Sequence, residues 1–207
     1  VSFVTKPIRI AVLALQGGVR EHVRALNAAG ADAFPAKNLE QITMAMGLVI
    51  PGGESTTMIK LAQMYNLVEP IQELRSQGMP MYGSCAGMIM LADRLEGGIV
   101  GQETIGGIDV LVRRNAFGRQ TESFEAPLRL QNLGVESEPF PGVFIRAPFV
   151  VEVGENVEVV GAIESGAHAG RVVAVQSGNL MATSFHPELT PDIRVHEIFV
   201  NIVRKAQ

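Results

Sequence analysis

The stretch Pro80-Met81-Tyr82-Gly83-Ser84-Cys85-Ala86-Gly87-Met88-Ile89-Met90-Leu91-Ala92 changes character in its middle. Its first residues read as a short apolar strand and its last as an apolar helix, with the chain's only cysteine in the turn between them. A strand that turns directly into a helix is the repeating unit of a parallel α/β sheet, and the same unit recurs upstream. Residues 8–15 form a nearly continuous apolar run closed by Gln16-Gly17-Gly18, beyond which Val19, Val23 and Leu26 keep helical spacing. Gly47-Leu48-Val49-Ile50 leads through Pro51-Gly52-Gly53 to Ser55-Thr56 as helix-start residues, then to Met58, Leu61, Ala62 and Tyr65. Ile71 and Leu74 mark a further short helix ending at Gly78.

From about Gly97 onward the texture is β-rich, with apolar segments at 142–146, 157–163, 172–176 and 180–185 punctuated by Gly, Pro and Asn. Some of these should extend the sheet with antiparallel strands, and 164–170 reads as a loop. Residues 192–204 place Val195, Ile198, Phe199, Ile202 and Val203 on one helical face suited to packing on a sheet. There is no internal repeat and no linker. The expected fold is a single α/β domain over residues 1–207, a mixed sheet between helical layers with a nucleophile elbow.

Composition agrees with that class and narrows the partners. The 207 residues are 47% hydrophobic and 18% charged, enough apolar surface for one core and too short a chain to favour two full α/β domains. A net charge of -4 without a basic cluster argues against nucleic-acid binding. No apolar run reaches bilayer-spanning length, so no membrane segment is expected. A single cysteine permits no intramolecular disulfide, and the first ten residues lack the apolar core of a secretory signal. Both features point to a cytoplasmic protein.

The turn at Cys85 has the requirements of a nucleophile elbow, with Gly83 and Gly87 letting the backbone approach closely while the reactive side chain stands exposed. A helix N-terminus also favours the thiolate. The alternative is a small buried hydrophobe, the ordinary state of a lone cysteine; glycines on both sides of it at a strand-to-helix junction favour the nucleophile. Of four histidines, His22 and His196 fall in expected helices and His168 in the 164–170 loop, where a surface or partly packed ring is the default. His186 follows the 180–185 strand directly, and Pro187 ends that strand and leaves Glu188 two residues on. A carboxylate there can accept an imidazole N–H, fix the tautomer and stabilise the imidazolium. A solvated His-Pro-Glu turn is the competing reading. The turn Pro51-Gly52-Gly53-Glu54-Ser55 offers backbone N–H groups to an anion, or merely connects two elements.

Taken together, Gly83-Ser84-Cys85-Ala86-Gly87 and His186-Pro187-Glu188 resemble the class I (triad) glutamine amidotransferases, whose sheet is of the flavodoxin-like three-layer type. More narrowly, the chain resembles the glutaminase subunits of two-component pyridoxal 5'-phosphate synthases. That likeness rests on five blocks in order: residues 15–22, 51–57, 114–120 (Arg-Asn-Ala-Phe-Gly-Arg-Gln), 144–148 and 184–190.

The resemblance implies that Cys85 attacks the carboxamide of L-glutamine, that His186 carries the proton to departing ammonia, and that Glu188 stands behind the histidine. It implies an oxyanion hole at Gly53 and Ala86, and glutamine contacts at Gly53, Glu54, Ser55, Arg114, Ile145 and Arg146. An arginine fork suits the α-carboxylate. No cofactor and no metal ligand are implied. The implied partner is a (β/α)8-barrel synthase subunit that receives the ammonia, with residues 16–22 near the contact. Residues 1–6 form an N-terminal extension relative to the shorter family pattern. A glutaminase serving another synthase, an elbow-cysteine peptidase and a non-catalytic binding module are the other readings open to these residues.

Overall fold

The computed structural model describes residues 7–97, 103–114, 123–130 and 135–207, with side chains from 138 onward in the last segment. The expected extension at 1–6 and residues 115–120 of the arginine block lie outside the described residues.

The N-terminal half alternates strand and helix: β1 (Arg9–Leu13), α1 (Val19–Ala28), β2 (Asp32–Ala36), α2 (Leu39–Thr43), β3 (Gly47–Ile50), α3 (Ser55–Met64), α4 (Val68–Ser76), β4 (Met81–Ser84) and α5 (Ala86–Leu91). The rest is mostly strand: β5 (Ala92–Glu96), β6 (Ile108–Arg113), β7 (Ser123–Leu130), β8 (Val135–Ile145), β9 (Phe149–Val153), β10 (Glu158–Ile163), β11 (Val172–Ser177) and β12 (Leu180–Thr183), closed by α6 (Arg194–Lys205).

Among the described residues these strands make one sheet of twelve, in the order β2-β1-β3-β4-β12-β11-β10-β7-β8. The first five run parallel, with Thr183 of β12 in register with Ser84 of β4. From β12 through β11, β10 and β7 to β8 each neighbour is antiparallel. A side branch runs from β11 through β9 and β6 to β5.

Period-2 alternation divides the central strands between two cores. Ala11, Leu13, Leu48, Ile50, Met81 and Ala182 face α2 to α5, where Ile42, Met58, Ile71 and Met88 cover them. Ile10, Val12, Val49, Tyr82 and Met181 face α1 and α6, where Leu26, Val195, Phe199 and Val203 cover them. Three layers follow, as expected. Phe199 is fully buried at the centre of the second core, so truncating it to alanine is expected to cost about 3–5 kcal/mol.

Several elements depart from the sequence reading in their limits. The first strand spans Arg9–Leu13 rather than 8–15, and the last helix starts at Arg194. Helix α3 does start at Ser55, as expected, and its cap is Glu54, whose carboxylate accepts the N–H groups of Thr56 and Thr57. Strand β2 carries Pro35 and gives no strand signal, yet it lies at the sheet edge where a missing N–H is tolerated. The 164–170 segment is a loop, as expected.

The strands that matter for function are β1, β3, β4 and β12. They are neighbours and parallel, so the turns after their carboxyl ends converge on one side of the sheet: 14–18, 51–54, Cys85 and 184–189.

Candidate active site

Cys85 sits between β4 and α5 with φ 51° and ψ −103°, a conformation that L side chains rarely adopt. Strain of this kind costs on the order of 1–3 kcal/mol and persists only where the surroundings enforce it. Here the enforcement is visible. A Cβ on Gly83 would collide with the carbonyl of Gly87, and a Cβ on Gly87 would collide with the carbonyl of Ile50. The Cys85 N–H donates to Thr183 O at 2.8 Å, tying the elbow to β12. The flanking glycines are therefore needed for the turn, as the sequence reading expects.

His186 arrives from the other side of this junction. Its N–H donates to Val143 O at 2.8 Å, and its Nδ1 donates to Glu188 Oε1 at 2.8 Å. Residues 187–189 form a short 3-10 turn that begins with Pro187 and brings the carboxylate back under the ring. Burial pushes the imidazole pKa down, but hydrogen bonds to Cys85 and Glu188 outweigh it and raise the value to about 10. At neutral pH the ring is an imidazolium. Glu188 is 2% exposed; burial alone would raise its pKa, yet the facing His22 and the His186 hydrogen bond hold it below the usual carboxylate range.

His22 and His196 correct the sequence reading, which gave both a surface or partly packed default. Each is fully buried. His22 Nδ1 lies 3.0 Å from His196 Nε2, its Nε2 lies 3.0 Å from Ser84 Oγ, and the same Nε2 is 3.4 Å from Glu188 Oε2. Burial lowers the pKa of both, that of His196 to about 3. Two helices from one face of the sheet thus place neutral imidazoles behind the His186–Glu188 pair. Helical periodicity put both residues on apolar-patterned helices, but it cannot tell a buried polar contact from a flank position.

In front of Cys85 opens a cavity of about 410 Å³. Gly52, Gly53, Glu54 and Ser55 form one wall, Ile145 and Arg146 another, and Arg114, Ala86 and His186 complete it. Every residue the sequence reading singled out for glutamine or oxyanion contact lines this space. Gly52 lies against the catalytic pair: a Cβ there would collide with His186 Cε1 and stand 3.3 Å from Cys85 Cβ. Arg146 carries φ 44°, so two of the three non-glycine residues with positive φ among the described residues border the cavity. Arg114 Nη2 lies 3.3 Å from Glu54 Oε1. Glu54 is held anionic, with a pKa near 2: burial works against this, and the hydrogen bonds from Thr57 and Thr56 override it.

The sequence reading did not assign Gln16, Ile89 and Leu189 to this wall. Gln16 Oε1 accepts the Glu54 N–H at 2.8 Å and so braces the 51–55 turn. Ser55 adds a further feature, a buried hydroxyl with no hydrogen-bond partner among the described residues.

The chain matches the model of the SNO glutamine amidotransferase family over residues 12–205. It is 56% identical over 195 residues to pyridoxal 5'-phosphate synthase subunit PdxT of Acidothermus cellulolyticus, which covers 94% of this chain and 93% of that one. The subunit of the same name from Salinispora arenicola is 55% identical over 202 residues, 98% and 99% of the two chains. A crystal structure of a glutamine amidotransferase superposes with a TM-score of 0.85 at 40% identity, over 94% of this chain and 98% of the other. PurLQS from Thermotoga maritima shares the fold, with a TM-score of 0.70 at 17% identity over 98% of this chain and 100% of that one. Because the matched span takes in every strand and helix around the cavity from β1's Val12 to the end of α6, the chain belongs to the SNO glutamine amidotransferase family.

Proposed function

We propose that this chain hydrolyses L-glutamine to L-glutamate and ammonia, and that it is the glutaminase subunit of a pyridoxal 5'-phosphate synthase. The observation that carries the reading is the meeting of the strained Cys85, the His186–Glu188 pair and two arginines around one cavity of about 410 Å³. The full-length PdxT relatives supply the pathway.

In this reading the glutamine side chain enters toward Cys85 while its α-carboxylate meets Arg114 or Arg146 and its α-ammonium faces the anionic Glu54. The Ser55 hydroxyl, without a partner among the described residues, supplies a further hydrogen bond. The Cys85 sulfur, its proton held by His186, adds to the carboxamide carbon, and backbone N–H groups at Gly53 and Ala86 hold the developing oxyanion, each such donor contributing about 3–4 kcal/mol. The imidazolium of His186 then gives its proton to the amide nitrogen, the C–N bond breaks, and ammonia leaves a γ-glutamyl thioester. Neutral His186 next takes a proton from water, whose oxygen attacks the thioester; glutamate departs and Cys85 is regenerated. Glu188 keeps the imidazole in register throughout.

Ammonia passes in this account to a separate (β/α)8-barrel subunit that builds the pyridoxal ring, and docking would involve the 16–22 segment, whose Gln16 already braces the cavity wall. A cytoplasmic setting suits a free catalytic thiol. The test of the site is covalent: 6-diazo-5-oxo-norleucine should label the wild-type chain once, at Cys85, in the presence of the synthase subunit. Labelling elsewhere, or none, would remove Cys85 from the nucleophile role.

A further inference from the structure

Behind the catalytic pair, one oxygen lacks an obvious holder. Glu188 Oε1 accepts from His186, but Glu188 Oε2 is buried without a hydrogen bond of good geometry among the described residues. The nearest ring nitrogen is His22 Nε2, 3.4 Å away on α1, which also lies 3.0 Å from Ser84 Oγ. His22 in turn touches His196 of α6, whose Nδ1 has no partner among the described residues.

Two neutral imidazoles sharing one hydrogen bond allow two arrangements. In the first, His22 carries its proton on Nδ1 and donates to His196 Nε2. His196 must then hold its own proton on Nδ1, leaving a buried N–H with no acceptor among the described residues, while His22 Nε2 accepts from the Ser84 hydroxyl and offers no proton to the anionic Glu188 Oε2. Both features are unfavourable: an orphaned buried N–H is rare and costly, and the buried Glu188 Oε2 is left without a donor. In the second, His196 Nε2–H donates to His22 Nδ1, and His22 Nε2–H points at Ser84 Oγ and Glu188 Oε2 together. Only an acceptor lone pair on His196 Nδ1 remains unused, which is the less costly orphan.

We propose that His22 is a positioning residue for the glutaminase reaction: its Nε2–H, oriented by His196, holds the second carboxylate oxygen of Glu188. The inference rests on the glutaminase reading above. It makes the support of Glu188 four residues deep, from Cys85 through His186 and Glu188 to His22, with His196 setting the tautomer. The charged and titratable groups facing His22 are Glu188 and His186 from the 186–189 turn, His196 from α6, Tyr82 from β4 and Glu21 on its own helix.

The arrangement is tested first on the wild-type chain, by long-range 1H–15N correlation of the imidazole nitrogens at pH 7. The proposal requires a neutral Nε2–H tautomer at His22; an Nδ1–H tautomer overturns it. The second arm is the pH profile of glutamine hydrolysis with the synthase subunit bound. His22→Leu is expected to lower kcat about tenfold or more, the loss of a hydrogen bond to a charged group. It should leave KM within about twofold and move the acid limb of kcat/KM to higher pH, since an unsupported buried Glu188 protonates more readily. His22→Gln, whose amide nitrogen can occupy the Nε2 position, should recover most of the rate and the wild-type limb. A folded His22→Leu with an unchanged profile, or a His22→Gln no better than His22→Leu, overturns the positioning role. If the wild-type complex hydrolyses no glutamine, the glutaminase reading fails instead, and the tautomer measurement still decides the geometry.

Discussion

His186 Nδ1 stands 2.8 Å from Glu188 Oε1 although only Pro187 separates the two residues in the chain. The short 3-10 turn that follows His186 returns the carboxylate to its ring. Glu188→Gln keeps the shape and removes the charge that stabilises the imidazolium. It should lower kcat by about 10²–10⁴, in the range seen when the orienting carboxylate of a triad becomes an amide. Steady-state glutamate release, with circular dichroism as the folding control, measures it.

The histidines make opposite contributions to stability against pH. His186 is raised from 6.5 to about 10, so the folded state binds its proton more tightly than the unfolded chain. Its stabilisation is complete below pH about 6.5 and is lost as pH rises toward about 10. His196 is lowered to about 3, so its neutral burial favours folding above pH about 6.5, and that advantage falls away as pH drops from there toward 3, by up to about 1.4 kcal/mol per unit. Urea unfolding from pH 4 to 10 should therefore show a shallower acid slope in His196→Gln and a shallower alkaline slope in His186→Asn. Parallel curves for the variants and wild type would contradict both assignments.

Gly52 is predicted to be as sensitive as a catalytic residue while contributing no reacting group. A methyl there would press on the His186 ring and stand 3.3 Å from Cys85 Cβ. Gly52→Ala should depress kcat by about 10²-fold, the scale of a 1 Å misplacement. The thermal midpoint should fall less than in a large core truncation such as Phe199→Ala.

The fold was legible because the parallel half repeats one pattern three times, each strand closed by glycine and followed by helical spacing. The elbow was legible because Gly83 and Gly87 are required by backbone contacts that leave a local signature. His186 and Glu188 were legible because only Pro187 lies between them in the sequence. Less visible were features that depend on distant partners. Pro35 concealed β2, whose place at the edge of the sheet no local signal carries. Glu54 caps α3 with a side chain longer than the usual capping residues, so the start at Ser55 was legible and the cap itself was not. His22 and His196 are 174 positions apart and become meaningful only when α1 and α6 share a face of the sheet.

Arg114 is largely buried at the cavity wall and faces Glu54. As the fork for the substrate α-carboxylate it should govern binding more than turnover. Arg114→Ala is expected to raise KM about 10–100-fold, the range for hydrogen bonds to a charged group. Arg114→Lys should recover only part of it, because an ammonium cannot reproduce a bidentate contact. A change confined to kcat would place the α-carboxylate elsewhere.

Glutamate release from glutamine by this chain, alone and with the pyridoxal 5'-phosphate synthase subunit, for wild type and Cys85→Ala, tests the account most directly. The expected result is turnover that the synthase subunit stimulates and that Cys85→Ala abolishes. Turnover that persists in Cys85→Ala, or no turnover by the wild-type complex, would contradict it.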